Sequence, residues 1–133
     1  MHRIILICLL GPFLLASCGD SVEVLMECPS PSGDLVASFY RVMGGGAAGW
    51  QLFRVEVRRR EDQLKNDAAF EMQHAYGVRL EWSGDGMLTV GYPSSAVSPR
   101  HEAQVLGVKI EATPYPSEKG TFAELGTAGC FNL

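Results

Sequence analysis

Few groups in this chain have chemistry to offer: cysteines at 8, 18, 28 and 130, histidines at 2, 74 and 101, and a scatter of neighbouring carboxylates. Acyl transfer needs a nucleophile, a base and an orienting acid, and outside the leading segment only His74 and His101 are available as the base. His101 sits in the polar run Ser98-Pro99-Arg100-His101-Glu102 and reads as a solvated surface residue. His74 lies among Phe70, Met72 and Tyr76 in the one long irregular stretch, where functional residues gather. It reads first as a hydrogen-bonded loop histidine and second as a weak candidate for binding. Glu61-Asp62 and Asp67 with Glu71 are the pairs that glycoside hydrolysis would use, but an acidic chain supplies such pairs by chance. There is no Gly-x-Ser-x-Gly elbow, and the tract Gly44 to Gly49 lacks the Gly-Lys-Ser/Thr ending of a phosphate-binding loop. No residue is assigned as catalytic, no zinc-ligand spacing is present, and no cofactor is expected. Arg58-Arg59-Arg60 is the only basic cluster; the preferred partners are Glu61 and Asp62, with anionic lipid headgroups as the alternative.

Among the cysteines, Cys18 has the most informative surroundings. His2 and Arg3 are followed by apolar residues from Ile4 to Leu10 and from Phe13 to Leu15, then by the small residues Ala16 and Ser17. That order is an export signal, and the run falls short of the roughly 20 apolar residues of a membrane-spanning helix. Leu15-Ala16-Ser17-Cys18 resembles the lipobox of bacterial lipoproteins, an apolar residue, two small ones and an obligatory cysteine. The resemblance implies that residues 1–17 are cut away by signal peptidase II, that the Cys18 sulfur carries a diacylglycerol, and that the new amino terminus is acylated. Two or more acyl chains anchor stably, at roughly 0.8 kcal/mol per buried CH₂. A protein of this kind is held on a membrane facing the periplasm. Gly19 stands where enterobacterial lipoproteins kept in the inner membrane carry Asp, which favours the outer membrane. The residues alone also allow an ordinary secretory signal in which Cys18 is incidental.

With Cys8 leaving in the leader and Cys18 taken by lipid, Cys28 and Cys130 remain as a pair that an oxidising compartment would join. Two separate buried thiols are the other reading. The formal charge is -4, and removing the segment before Cys18, whose only formal charge is Arg3, leaves -5. That argues against nucleic acid, whose binding draws on positive charge. A chain of 133 residues, 47% apolar and 20% charged, fits one globular domain. Residues 1–17 are read as the signal peptide, 18–23 as a short tether and 24–133 as the domain.

The domain reads as short strands bounded by Gly, Pro and Ser clusters, the pattern of an antiparallel β protein. Strands are expected over Val22 to Glu27, Leu35 to Met43 and Trp50 to Arg59, the last two forming a hairpin across a flexible glycine tract. In the third strand Phe53, Val55 and Val57 point inward, while Arg54, Glu56 and Arg58 point to solvent. Ala68 to His74 is expected as loop with a helical turn anchored by Phe70. Val78 to Trp82 and Met87 to Tyr92 form a second hairpin around Ser83-Gly84-Asp85-Gly86. Pro93 to Pro99 reads as loop, Leu106, Val108 and Ile110 as inward positions of one more strand, and Thr113 to Leu133 as coil.

Ser30-Pro31-Ser32-Gly33 followed by Leu35-Val36-Ala37 resembles the opening of strand pairs in TolB-type propeller blades, though full propellers are excluded by length and the absence of repeats. It is also similar to the start of an uncharacterised group of small bacterial envelope proteins. In that group a glycine-rich tract, a V-x-V strand, a Phe-to-His segment, a V-x-apolar-x-Trp strand and a Leu-x-apolar strand follow in order. Here these are Gly44 to Gly49, Val55 to Val57, Phe70 to His74, Val78 to Trp82 and Leu88 to Val90. This resemblance implies a fold and no mechanism.

The expectation is therefore an all-β domain, a small antiparallel β-sandwich or open barrel of five to seven strands. Its core should include Phe39, Phe53, Val55, Val57, Leu80, Trp82, Leu88, Val90, Val108 and Ile110. The expected role is a non-enzymatic, lipid-anchored binding module with an envelope protein or cell-wall partner, and an exposed apolar patch near Trp50 is the first place to look. The alternatives are a hydrolase acting on cell-wall material and a protein similar to periplasmic lysozyme inhibitors.

Overall fold

A computed structural model of the protein describes residues 19–73, 77–116 and 129–132. Two five-stranded sheets face each other with the core between them, and neither closes into a barrel. The first sheet contains β1 (Ser21–Pro29), β2 (Leu35–Gly44), β3 (Trp50–Arg59), β4 (Phe70–Gln73) and β7 (Val97–His101), hydrogen-bonded in that order and antiparallel throughout. The second contains β5 (Arg79–Ser83), β6 (Met87–Pro93), β8 (Gln104–Val105), β9 (Val108–Tyr115) and β10 (Gly129–Asn132), in the order β10-β5-β6-β9-β8.

All ten residues expected in the core are buried there, because strict alternation in β3, β5 and β6 leaves each strand only one apolar face to bury. Phe39 and Phe53 stack across the β2–β3 pair with centroids 6.0 Å apart, and Phe70 meets Tyr92 of the opposite sheet at 5.3 Å. Trp82 is wholly buried and its indole nitrogen donates to the Cys28 carbonyl at 3.0 Å, so the largest side chain of the second sheet is fixed to the first. Cys28 on β1 and Cys130 on β10 are joined, with Cα atoms 5.5 Å apart, which ties the two sheets together along the same margin.

The strands number ten among the described residues, more than expected, and the additions have a common cause. Residues 70–73 form β4, not a helical turn: Phe70 and Met72 point into the core while Glu71 and Gln73 point out, a period too short to recognise in isolation. Residues 97–101 form β7, not loop. Every residue of β7 is exposed, and Ser98 has φ 51°, so the strand is defined by its pairing with β4 and not by any apolar pattern. Residues 113–115, expected as coil, continue β9. Pro114 is tolerated because β8 pairs only with the first residues of β9, leaving that side of the strand an open edge. Leu106, expected inward, instead lies with Gly107 in the two-residue turn between β8 and β9, at φ 50° and 53% exposed. The first strand, expected over Val22 to Glu27, is longer at both ends, running over Ser21–Pro29.

The second sheet is mixed: β6 pairs with β9 and β5 with β10 in parallel. A parallel pair needs a long crossover. Here the chain leaves β6, adds β7 to the first sheet, and returns through the β8–β9 hairpin.

Candidate functional site

On the outer face of the first sheet, side chains line up in rows that cross it strand by strand. The middle row is Val24, Tyr40, Arg54, Glu71 and Arg100, set by the pairings of β1 through β4 and β7. Arg54 donates to one Glu71 oxygen at 2.6 Å and Arg100 to the other. A second nitrogen of Arg54 reaches Asn66 Oδ1 at 2.8 Å. Burial alone would raise the Glu71 pKa, but the hydrogen bonds and charges of Arg100 and Arg54 outweigh it and hold the carboxyl below the usual carboxylate value.

The sign of the resulting pH dependence follows from linkage. A carboxyl with a lowered folded-state pKa adds stability above its unfolded value, and that stability is lost as pH falls through the folded value. Urea midpoints measured from pH 7 downward should therefore fall less steeply below about pH 4.5 in Glu71→Gln than in the wild type. Parallel curves would refute the assignment.

Tyr40 is buried on this same face, and its hydroxyl has no hydrogen-bond partner among the described residues. Burial first, and the Glu56 charge second, push its pKa up to about 12, with Arg54 opposing from outside hydrogen-bonding geometry. A phenol with a raised folded pKa holds its proton longer folded than unfolded, so stability falls between its unfolded value near 10 and its folded value near 12. Each unit is about 1.4 kcal/mol. Tyr40→Phe should abolish that alkaline loss and be neutral or stabilising by up to about 1 kcal/mol at pH 7, since it removes an unpartnered buried hydroxyl. An unchanged alkaline limb in thermal melts would overturn this.

Glu56, expected to face solvent, is 3% exposed. Its carboxylate accepts from the backbone nitrogens of Lys65 at 2.9 Å and Asp67 at 2.8 Å, which binds the polar segment 60–69 down over the sheet. Arg58 pairs with Glu27 of β1 at 2.5 Å and donates to the Asp62 backbone carbonyl at 2.8 Å, so its carboxylate partner comes from β1 and not from Glu61 or Asp62. These charges are structural clamps.

Toward the other end of the face the rows turn apolar. Val22, Val42 and Leu52 form one row, and beyond it Gly44 stands opposite Trp50. A Cβ on Gly44 would lie 2.7 Å from Trp50 Cζ2, and one on Gly45 would lie 2.7 Å from Trp50 Cδ1. The indole therefore rests directly on glycine backbone, a close approach no other residue permits. The glycine tract is not a loose loop: Gly46–Ala48 form a 3₁₀ turn closed by Ala48 N to Gly45 O at 3.2 Å and Gly49 N to Gly46 O at 3.1 Å. Trp50 nevertheless remains 43% exposed. Met43, Trp50, Leu52 and Gln73 wall an open groove of ≈ 680 Å³ beside it. Trp50 thus borders an open groove with its indole partly exposed.

The other expected residues distribute as follows. Cys28 and Cys130 meet; Cys18 and His74 lie outside the described residues. His101 is exposed and borders a hollow of ≈ 170 Å³ with Ala68, Glu71, Arg100 and Glu102. Glu71, one of the carboxylates considered for hydrolysis, is held as an anion between two guanidinium groups. Among the described residues no group of three or more His, Cys, Asp or Glu is placed to hold a metal ion. The outer-face row of Tyr40, Arg54, Glu71 and Arg100 was missed, although β2 carried a signal. Val36, Tyr40 and Val42 make the strand apolar on the face opposite Phe39, as a strand covered on both sides requires. Comparison with protein-family models, with curated proteins and with solved structures finds no match.

Proposed function

We propose that this protein is a lipid-anchored cell-envelope module that works by binding, with the lipid on Cys18 and the contact surface at the Trp50 face. The observation that carries the reading is the exposed indole held on the Gly44–Gly45 backbone at the rim of an open groove. An exposed tryptophan fixed by its own backbone has little freedom left to lose on binding, and such side chains dominate contact energies. The lipid anchor rests on the residues Leu15-Ala16-Ser17-Cys18, and the Cys28–Cys130 bridge fits an oxidising compartment. Outer membrane is favoured over inner by Gly19.

A hydrolase reading needs a carboxyl able to give up a proton near neutral pH. Glu71, held as an anion by Arg54 and Arg100, does not supply that proton donor.

Two measurements test the proposal. Radiolabelled palmitate should enter the wild type and not Cys18→Ser. Cys18→Ser protein, which lacks the affinity of the lipid itself, should still bind isolated envelope fractions, and adding Trp50→Ala should reduce that binding at least tenfold, about 1.4 kcal/mol. Label on Cys18→Ser would overturn the anchor; release of soluble fragments from purified cell wall would overturn the binding role.

A further inference from the structure

We infer that the Trp50 end of the outer sheet face seats on the lipid bilayer itself, its indole lying among the headgroups of the membrane that holds the Cys18 lipid. This deepens the binding role above and rests on the proposed lipid attachment.

The first ground is distance. Cys18 precedes Asp20 by two residues, and an extended chain spans at most about 3.6 Å per residue, so their Cα atoms lie within about 7 Å. Asp20 in turn is packed at the indole: a Cβ on Gly44 would collide with Asp20 Oδ1 and would fall 2.7 Å from Trp50 Cζ2. One glycine is thus in contact with a residue two positions from the anchor and with the exposed aromatic ring. A single helix is about 10–12 Å across, so no layer of another protein fits between the anchor point and this end of the sheet.

The second ground is chemistry. Trp50 is 43% exposed at the rim of the groove; Val22, 46% exposed, carries the neighbouring row of Val42 and Leu52 onto β1, and Val24, 48% exposed, follows one row further along that strand. Tryptophan settles at the boundary between headgroups and acyl chains, where its apolar body and polar N–H are both accommodated. The charged groups nearest the patch do not favour an anionic surface. Asp20 and Glu23 are acidic, Arg41 is paired with Glu23, and Arg54 is paired with Glu71 one row further on. Association should therefore be driven by apolar contact and be indifferent to anionic lipid, unlike a polybasic attachment.

The experiment uses the lipidated protein reconstituted in phosphatidylcholine vesicles, with and without bromine on the acyl chains near the headgroups, and follows tryptophan emission. Only two tryptophans are present, and Trp82 is wholly buried, so the difference between wild type and Trp50→Phe isolates the Trp50 signal. Quenching of that signal by the brominated lipid, with a blue shift relative to detergent and no change when phosphatidylglycerol is added, is the expected result. Vesicle-bound protein whose Trp50 emission is not quenched overturns the inference while leaving the anchor in place. The inference also falls if cell-wall fragments or an envelope protein shift that emission and lipid does not. Protein that fails to float with the vesicles overturns the anchor, and the inference with it.

Discussion

Opening the Cys28–Cys130 bridge should lower the free energy of unfolding by about 4 to 5 kcal/mol. The two cysteines are 102 positions apart, and in the chain-entropy model a closed loop of that length restricts the unfolded chain by about this amount. The folded structure adds a reason specific to this protein. Strand β10 is a four-residue edge strand paired only with β5, in the parallel arrangement that is the weaker per residue. The bridge is what holds it to β1. Cys28 is fully buried, so Cys28→Ala with Cys130→Ala is the cleaner variant, since serine would place an unpartnered hydroxyl in the core. Urea unfolding of that double variant, and of wild type with its thiols shown to be reduced, should give midpoints shifted down together. Amide hydrogens of β5 should lose protection on its β10 side. An unchanged midpoint would show that the sheets hold without the bridge.

How much of this architecture was legible in the sequence depended on whether a strand states its own pattern. The strands β3, β5 and β6 do: Phe53-Val55-Val57, Leu80-Trp82 and Leu88-Val90 alternate with polar neighbours because one face is core and the other is not. Their inward residues could be named from spacing alone. Strands β4, β7 and β10 do not, since each is short or at an edge, and is held in place by a partner distant in the chain. The parallel pairings were hidden for the same reason, as direction is a property of the crossover and not of the strand.

The candidate site divides along the same line. Trp50 could be picked out because an aromatic residue following a glycine tract is locally unusual, and the contact of its ring with Gly44 and Gly45 is itself local. Glu56 could not, because it alternates correctly for a solvent position. What buries it is the segment 60–69 folding back so that Lys65 and Asp67 donate to its oxygens. Arg54, Glu71 and Arg100 come from three strands, and only the register of β3, β4 and β7 brings them into one row.

Trp82→Ala should be as damaging as loss of the bridge, and for a related reason. Truncating a fully buried aromatic side chain typically costs about 3 to 5 kcal/mol, from lost burial and from the cavity left behind. Here the indole also donates to the Cys28 carbonyl, so removing it takes a hydrogen bond from the residue that carries the disulfide. Trp82→Phe separates the two contributions. It keeps most of the apolar volume and removes the donor, and should cost about 1 to 3 kcal/mol. Because Trp82 and Cys28 are in direct contact, the effects of Trp82→Phe and of opening the bridge should not add. A double-mutant cycle by urea denaturation should show a coupling of about 0.5 kcal/mol or more, whereas distant, independent sites add within a few tenths. Strict additivity would mean that the indole and the bridge stabilise the junction of the sheets separately. Coupling would identify Trp82, Cys28 and Cys130 as one unit, formed when β1, β5 and β10 come together.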